Sequence, residues 1–487
     1  MKLQIKSWHL LLLIFFITFA FRLYFTFGTE HFSSGEAYFN LRYVNHLLEN
    51  KSLMFYDDLS YGGRLLIYPP LFYVFMSLFS LGSVVMLKIL PELFLSSIVF
   101  IIYFMAKDVN GNEYASLFAA LLSGFIPIFL KDTLNVISPY SLALPILLLM
   151  LYSSLRLENK FYMWAFILSS FLLPLVHPIA IVFVITILVY FLLLSGGALV
   201  PTKLKKEAFL FSILAILLIS FIIYKKAFFE YGINIIGQNI PLNVLADQYQ
   251  PLSVSGLLIG VGILPLVLGC VGIYLGIINQ KKKPVYFYSA FTLGVLILLS
   301  LRMITISVGM MILGIALCIF SALTMGSLIE YIKKTRFANL NYFIAFLLLV
   351  SFVAFSFIPS YTFLSNFTSI NEEKINDIKK MAAFVDNNEV ILGNLEEGHL
   401  ISAIANRKNF IDTNFLLAPN PVKRLKDVEV FYTTFSEAKI LELLKKYNIK
   451  VIYFSEDTKQ FYFVRHLKYT KDNKCFRQEG NFYVVEC

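Results

Sequence analysis

Charge is what this sequence has least of. Only 15% of its 487 residues are Asp, Glu, Lys or Arg, while 58% are hydrophobic. A surface meant for water cannot cover most of such a chain. Also missing are a P-loop, a dinucleotide-binding glycine pattern and any Cys/His spacing suited to zinc. Internal repeats and paired interrupted helices are absent, which argues against a transporter. No small-residue cleavage pattern follows the first apolar run, so that run reads as an uncleaved anchor. Cysteine is scarce: Cys270 and Cys318 sit in apolar runs and read as buried apolar residues. Cys475 and Cys487 flank "FRQEGNFYVVE", a hairpin pattern, and are placed to pair if that segment lies outside the cytoplasm.

The chain is filled instead with long apolar runs. Trp8 to Phe27, Tyr114 to Leu130, Tyr140 to Leu155, Ala208 to Tyr224, Leu257 to Ile278, Val285 to Leu301, Ile304 to Leu328 and Phe343 to Ile358 are each long enough to cross a bilayer as a helix. Phe161 to Leu194 is long enough for two helices, with Pro174, His177 and Pro178 suited to a tight turn between them. Tyr68 to Ala106 is interrupted by Lys88, Pro91 and Glu92, and fits either two spans or one interfacial helix followed by one span. Charge decides between these. Lys203, Lys205 and Lys206, then Lys281 to Lys283, then Lys333, Lys334 and Arg336 cluster in connections that the positive-inside rule puts in the cytoplasm. With one span in the ambiguous stretch they agree, as do Lys2, Lys6, Lys107, Arg156 and Lys160; Lys131, Lys225 and Lys226 dissent.

The expectation is a polytopic α-helical membrane protein of about 11 transmembrane helices, in the cell membrane, with the N terminus cytoplasmic and the C terminus outside. The same clusters explain the net charge of +10. They are short loop ends and not one face of a soluble domain, which excludes a nucleic-acid partner.

After Pro359, charged residues and alternating apolar positions replace the long runs. "NEEKINDIKKMAAFVDN" and "EAKILELLKKYN", the latter after Ser436 as cap, read as amphipathic helices; "EVILGN" and "KVIYFSE" read as strands. The chain therefore divides into a transmembrane part, residues 1–365, with long outer loops at 28–68 and 228–255, and a soluble extracytoplasmic α/β domain, residues 371–487. Both long loops fall on the domain's side of the membrane and together can close a cavity there.

The stretch "SSGEAYFNLRYVNHLLENKSLMFYDDLSYGGRLLIYPPLFYVF" resembles the first outer loop of the GT-C glycosyltransferases, polytopic enzymes that use polyisoprenyl-linked sugars. In that group an acidic residue follows the first helix, an aromatic and an Arg or His come next, and Pro-Pro opens a loop helix. The chain is most similar to the catalytic subunit of oligosaccharyltransferases in its archaeal form. "IPIFLKDTLNV", "VLADQYQPLSVSGLLIGVGIL", "LRMITI" and "GNLEEGHLISAIANRKNFIDTN" resemble further segments of that subunit in order. The Lys-, Ile- and Asn-rich composition also has an archaeal look.

The departures are specific. Where the family carries paired carboxylates for a metal in its second outer loop, this chain reads "NVISPYSLALP" without an acid. The family's fifth-loop Glu falls at or beside Gln248, with Asp247 one residue earlier. Its signature acceptor loop, two tryptophans and an Asp, is here Asn394, Leu395 and Glu396. Mg or Mn is possible as a cofactor, but the second-loop acidic motif is absent.

Glu36 is the expected catalytic residue. Inverting transfer from a polyisoprenyl phosphate or diphosphate needs a carboxylate to take the acceptor's proton or to hold a metal, and a Glu just past a helix end at the lipid-water boundary suits either. A solvated loop Glu is the ordinary alternative. Tyr38 and Arg42 would orient it on a short helix, and Pro69-Pro70 would return the chain to the membrane.

Arg302, at the outer end of a span, is the candidate for the carrier phosphate, because a guanidinium in that position is costly unless paired; a snorkelling anchor is the competing reading. Asp247, Gln248, Asp58, Glu396 and His399 are candidates for acceptor or metal contact, Glu396 and His399 by resemblance alone. Asp57 and Asp58 before Gly62-Gly63 also fit turn chemistry. Asp132 reads as helix-end capping, His177 as a loop polar group, and Arg407 and Asp412 as a structural pair within the α/β domain. The sequons at Asn50 and Asn366 fall in outer segments.

The leading expectation is a membrane glycosyltransferase moving a sugar or glycan from a polyisoprenyl phosphate or diphosphate to a protein or glycan acceptor outside the cytoplasm. The alternative is a catalytically silent relative that binds the glycan lipid or serves as an accessory protein.

Overall fold

The computed structural model describes residues 6–196, 200–232, 240–248, 253–280, 282–335, 341–365, 369–470 and 475–487; Lys2, Lys281, Arg336 and the sequon at Asn366 lie outside the described residues. Lipid offers backbone groups no hydrogen-bond partner, so the apolar runs become helices. Among the described residues, seven helices are long and apolar enough to cross a membrane: Ser7–Phe27, Val84–Asn110, Pro178–Gly196, Lys203–Tyr231, Lys283–Ser300, Ile306–Lys333 and Phe346–Ser365. Glu113–Ser123 with Pro127–Thr133, bent by 46°, and Val254–Gly260 with Ile263–Ile278, bent by 105°, raise this to nine if each pair is one span. Two shorter apolar helices, Tyr140–Ser154 and Lys160–Val176, stand where the sequence predicts the remaining spans. The protein is a multi-pass membrane protein.

The ambiguous stretch resolves into one short helix and one long one. Leu71–Ser80 ends at Leu81 (φ 49°) and Gly82 (φ 78°), and Ser83 then caps Val84–Asn110 through the amide of Met86. Lys88, Pro91 and Glu92 do not break the chain; all three lie inside the long helix. Glu92 is fully buried and pairs with Arg22 of the first helix, Nε donating to Oε2 at 2.6 Å. Thr26 Oγ1 and the amide of Asn135 donate to the other carboxylate oxygen at 3.1 and 2.8 Å. Arg22 also donates to Thr133 Oγ1 at 2.9 Å and lies over the Phe129 ring.

This pair joins the first, second and third spans. Its signature in the sequence is a lone Arg in the first apolar run and a Glu, near Lys88, in the next. Glu92→Ala strands a buried guanidinium and should cost about 3 kcal/mol, with Arg22→Ala/Glu92→Ala recovering part of it, as read by thermal inactivation in detergent.

At the centre of the bundle, Ile306–Lys333 packs against Ile263–Leu275 across small residues. A Cβ at Gly272 would fall 2.0 Å from the Phe320 carbonyl oxygen, so only glycine permits this approach.

Beyond the last span the chain forms an α/β layer. Numbered after β1 (Tyr56–Asp57) and β2 (Arg64–Leu65) of the first loop, its five strands, β3 (Val390–Leu392), β4 (Lys408–Asn409), β5 (Ile449–Tyr453), β6 (Phe476–Glu479) and β7 (Phe482–Val485), lie in the order β4-β3-β5-β7-β6. β3 runs parallel to both β4 and β5, and the hairpin β6-β7, turned at Gly480 (φ 63°), is antiparallel. The predicted strands and the helix capped by Ser436, Glu437–Tyr447, are all present. Cys475 and Cys487 are joined as a disulfide across the open end of the hairpin.

Candidate active site

The site begins at a helix cap. Ser34 accepts from the amide of Ala37 and starts the loop helix Gly35–Asn50, which places Glu36 in its first turn. The face of Phe39, Asn40 and Tyr43 packs into the membrane domain: Asn40 Nδ2 donates to the Ile137 carbonyl at 2.7 Å, and its Oδ1 accepts from Tyr73 at 2.9 Å. After the helix, β1 (Tyr56–Asp57) and β2 (Arg64–Leu65) form a two-stranded ribbon whose turn reaches into the C-terminal domain.

That contact is a clamp of buried polar groups. Ser60 Oγ donates to Asp412 Oδ2 at 2.6 Å, Tyr61 OH donates to the Asp412 carbonyl, and the amide of Tyr61 donates to Asn409 Oδ1. Arg64 donates to the carbonyl of Asn414, with its Nη2 3.9 Å from Asp412 Oδ1, and Asn414 donates to Tyr68. Asp412 therefore does not pair with Arg407 inside the domain, as the sequence predicts. Its charge faces the loop between the first two spans, while Arg407 Nε donates to the Val385 carbonyl at 2.6 Å.

The clamp closes a cavity of about 560 Å³ between loop helix, membrane bundle and C-terminal domain. Glu36 faces Glu396 and His399 across it, with Tyr68, Tyr73, Tyr224 and His177 also on its walls. The first-loop acid and the loop resembling the acceptor signature, 360 positions apart in sequence, thus share one chamber. The approach is close: a Cβ on Gly35 would lie 3.1 Å from the Glu396 carbonyl, and one on Gly398 would lie 1.9 Å from the Ile411 carbonyl.

Glu36 is exposed, but the surface it presents lies in this open chamber, among Tyr68, Tyr73, His177 and Glu396, whose bulk displaces part of its water. Burial, then the charges of Asp132 and Glu396, raise its pKa above the usual carboxylate value. Glu396 is raised as well, by burial against the pull of Lys374 and with a push from Glu397. His399 is lowered by burial, against the attraction of Asp412, and is neutral with Nδ1 3.8 Å from Asp412 Oδ2. Burial works against ionisation of Asp412, but the charge of His399 when protonated, the Arg64 guanidinium and hydrogen bonds from Ser60 and Asn409 outweigh it and hold its pKa low.

The other expected residues lie elsewhere. Arg302 is exposed in the turn between Lys283–Ser300 and Ile306–Lys333, at φ 56°, outside the cavity lining, and its guanidinium has no hydrogen bond or ion pair among the described residues. Asp58 is exposed in a separate cleft. Asp247 and Gln248 close the helix Leu242–Gln248, and their side chains lie outside the described residues. Arg42 does not orient Glu36; both its terminal nitrogens donate to Asp57. Glu397 turns away to Lys374, Ser455 and the amide of Asn394. Asp132 accepts from Ser307 and couples the third span to Ile306–Lys333.

Sequence reasoning missed the tyrosines and His177 as cavity residues, since none carries a local motif. Among the described residues no group of three or more His, Cys, Asp or Glu side chains is disposed to hold a metal ion. The described donors in the cavity therefore do not by themselves make a cation site, and the side chains of Asp247 and Gln248 lie outside the described residues.

No protein-family model matches the sequence, and no curated protein does. Solved structures do match the fold. The oligosaccharyltransferase of Archaeoglobus fulgidus in its apo form superposes with a TM-score of 0.70 at 13% identity, over 92% of this chain and 69% of that one. The same figures hold for that enzyme tethered to an acceptor peptide containing the NVT sequon. The archaeal oligosaccharyltransferase AglB from the same organism, in complex with an inhibitory peptide and a dolichol-phosphate, gives 0.69 at 12% identity, over 93% and 70%. The chain has the oligosaccharyltransferase fold, a polytopic membrane part with a C-terminal domain.

Proposed function

We propose that this protein is an integral membrane glycosyltransferase that moves a sugar or glycan from a polyisoprenyl phosphate or diphosphate to an acceptor outside the cytoplasm, with Glu36 as its general base. One observation carries this reading: Glu36 stands with a raised pKa in a chamber shared by the first outer loop and the domain loop at Glu396. The dolichol-phosphate complex of the archaeal enzyme with the same fold supports a lipid-linked donor. The cytoplasmic side is assigned from the Lys/Arg clusters, which puts the C-terminal domain and the chamber outside.

In the reaction the acceptor's oxygen or nitrogen attacks the anomeric carbon of the donor sugar as the bond from that carbon to the carrier phosphate breaks. Glu36 takes the proton from the nucleophile, and the freed phosphate leaves on its lipid with inversion at the anomeric carbon. No step is routed through a metal. Arg302, whose guanidinium is unengaged at the outer end of two spans, is the proposed contact for the carrier phosphate. The neutral His399 and the carboxyl of Glu396 are the proposed acceptor contacts.

Only the ionised form of Glu36 can accept a proton, so transfer should rise with pH through its raised pKa and be lost below it. Glu396→Gln removes a neighbouring negative charge and should move this acidic limb to lower pH. A pH profile of kcat/KM for wild type and variant checks the sign. The reading itself is tested by transfer of label from polyisoprenyl-linked sugars to native membrane extract, in wild type and Glu36→Gln. Carrier binding without transfer in the wild type would favour a catalytically silent relative.

A further inference from the structure

We propose that a second site, the cleft between the far half of the loop helix and the C-terminal domain, binds carbohydrate. It has a volume of about 410 Å³ and is lined by Arg42, Asn45, Glu49, Tyr56, Asp58 and Asn406 among others. It is built on the same two elements as the Glu36 chamber. Gly35, Glu36 and Phe39 of the loop helix line the chamber, and Arg42, Asn45 and Glu49 of that helix line the cleft; Glu396 and His399 on the domain side give way to Ala403 and Asn406. From Glu36 to Asn45 the helix advances about 14 Å, so the two pockets lie one after the other along the same pair of elements.

The chemistry of the lining selects the ligand class. Arg42 is already engaged by Asp57, and Asp58 and Glu49 add negative charge, so an anion such as a phosphate or nucleotide is repelled. A bound metal is disfavoured because no group of three suitable ligands occurs among the described residues. What remains is a neutral ligand rich in hydroxyls. Asn45, Asn406, Glu49 and Asp58 have side chains that make no hydrogen bond among the described residues, and they offer both donors and acceptors.

Tyr56 supplies the flat apolar face that the ring of a sugar needs. It is 52% exposed, on the open face of the β-ribbon. Its ring lies over Gly63 (φ 123°), where a Cβ would fall 2.6 Å from the Tyr56 hydroxyl. An exposed aromatic ring beside a cleft of free planar polar groups presents contact area at little entropic cost, since only two side-chain torsions are fixed. The occupant is either the outer sugars of a lipid-linked donor or a sugar chain carried by the acceptor.

The test is binding by the full-length Glu36→Gln protein in detergent, read by saturation-transfer NMR against maltotetraose, mannotetraose, chitotetraose and a neutral tetrapeptide. The proposal does not depend on the role of Glu36, because binding is read without turnover. At least one oligosaccharide should bind, with Tyr56→Ala and Asp58→Asn each weakening it by about tenfold and Tyr56→Phe retaining it. All are surface substitutions, and an unchanged thermal midpoint confirms the fold.

The source follows from transfer by the otherwise wild-type enzyme. Tyr56→Ala raising KM only for a lipid-linked oligosaccharide, and not for a lipid-linked monosaccharide, assigns the donor; raising it only for a glycosylated acceptor assigns the acceptor. Binding of no oligosaccharide, binding unaffected by Tyr56→Ala and Asp58→Asn together, or binding of the tetrapeptide alone overturns the proposal.

Discussion

Replacing Glu36 by Gln should reduce transfer by about 100- to 10,000-fold, the usual contribution of a positioned general base. The substitution keeps the size of the side chain and its hydrogen-bonding capacity but removes the group that accepts the proton. The loss should fall on kcat, with carrier binding unchanged, because nothing in the geometry gives Glu36 a role in holding the lipid phosphate. Because the sequence lacks the paired carboxylates of the second loop, transfer should also survive a chelator. The measurement is single-turnover transfer with saturating donor, for both forms, with and without chelator. A variant as active as the wild type would remove Glu36 from the chemistry, and loss of wild-type activity with chelator would return a metal to the site.

Asp412→Ala should be as damaging to the architecture as Glu36→Gln is to the chemistry. Asp412 is fully buried and accepts from Ser60, Asn409 and the amide of Asn414. Its removal leaves Arg64, itself buried, facing no counter-charge, a penalty of about 3–5 kcal/mol for breaking such a pair. The outer loop should then separate from the C-terminal domain, and the chamber that Glu36 shares with Glu396 and His399 should open. Limited proteolysis within residues 51–66 and a lowered thermal midpoint would report this.

The pH dependence has a definite sign. The Asp412 pKa is depressed in the folded protein, so its contribution to stability is present above the ordinary Asp value and is lost as pH falls through the lower, folded value. Asp412→Ala should have lost that acid-sensitive portion already. A variant with an intact midpoint and an uncleaved loop would show that other contacts hold the junction.

Much of the fold is legible in the order of the residues. Apolar runs long enough to span lipid fix helices, because a bare backbone in hydrocarbon has no alternative, and the basic clusters choose one span rather than two between Tyr68 and Ala106. The strands at Val390–Leu392 and Ile449–Tyr453 and the hairpin closed by Cys475 and Cys487 follow from alternation and turn chemistry, which act over a few residues. Glu36 is visible because it is an isolated acid beside a helix start.

What local pattern cannot carry is partnership across the fold. Glu92 looks like an interruption until Arg22 stands beside it, and Asp412 looks like a neighbour of Arg407 until the outer loop arrives with Ser60 and Arg64. Whether a charge is a break, a clamp or a base depends on what surrounds it, and burial and Coulomb interaction act through space between residues far apart in the chain. Composition and short-range pattern are enough to establish that the protein spans the membrane many times and carries an α/β domain. That Glu36 faces Glu396 and His399 is a property of the folded chain alone, because closing that chamber takes contacts between segments more than three hundred residues apart.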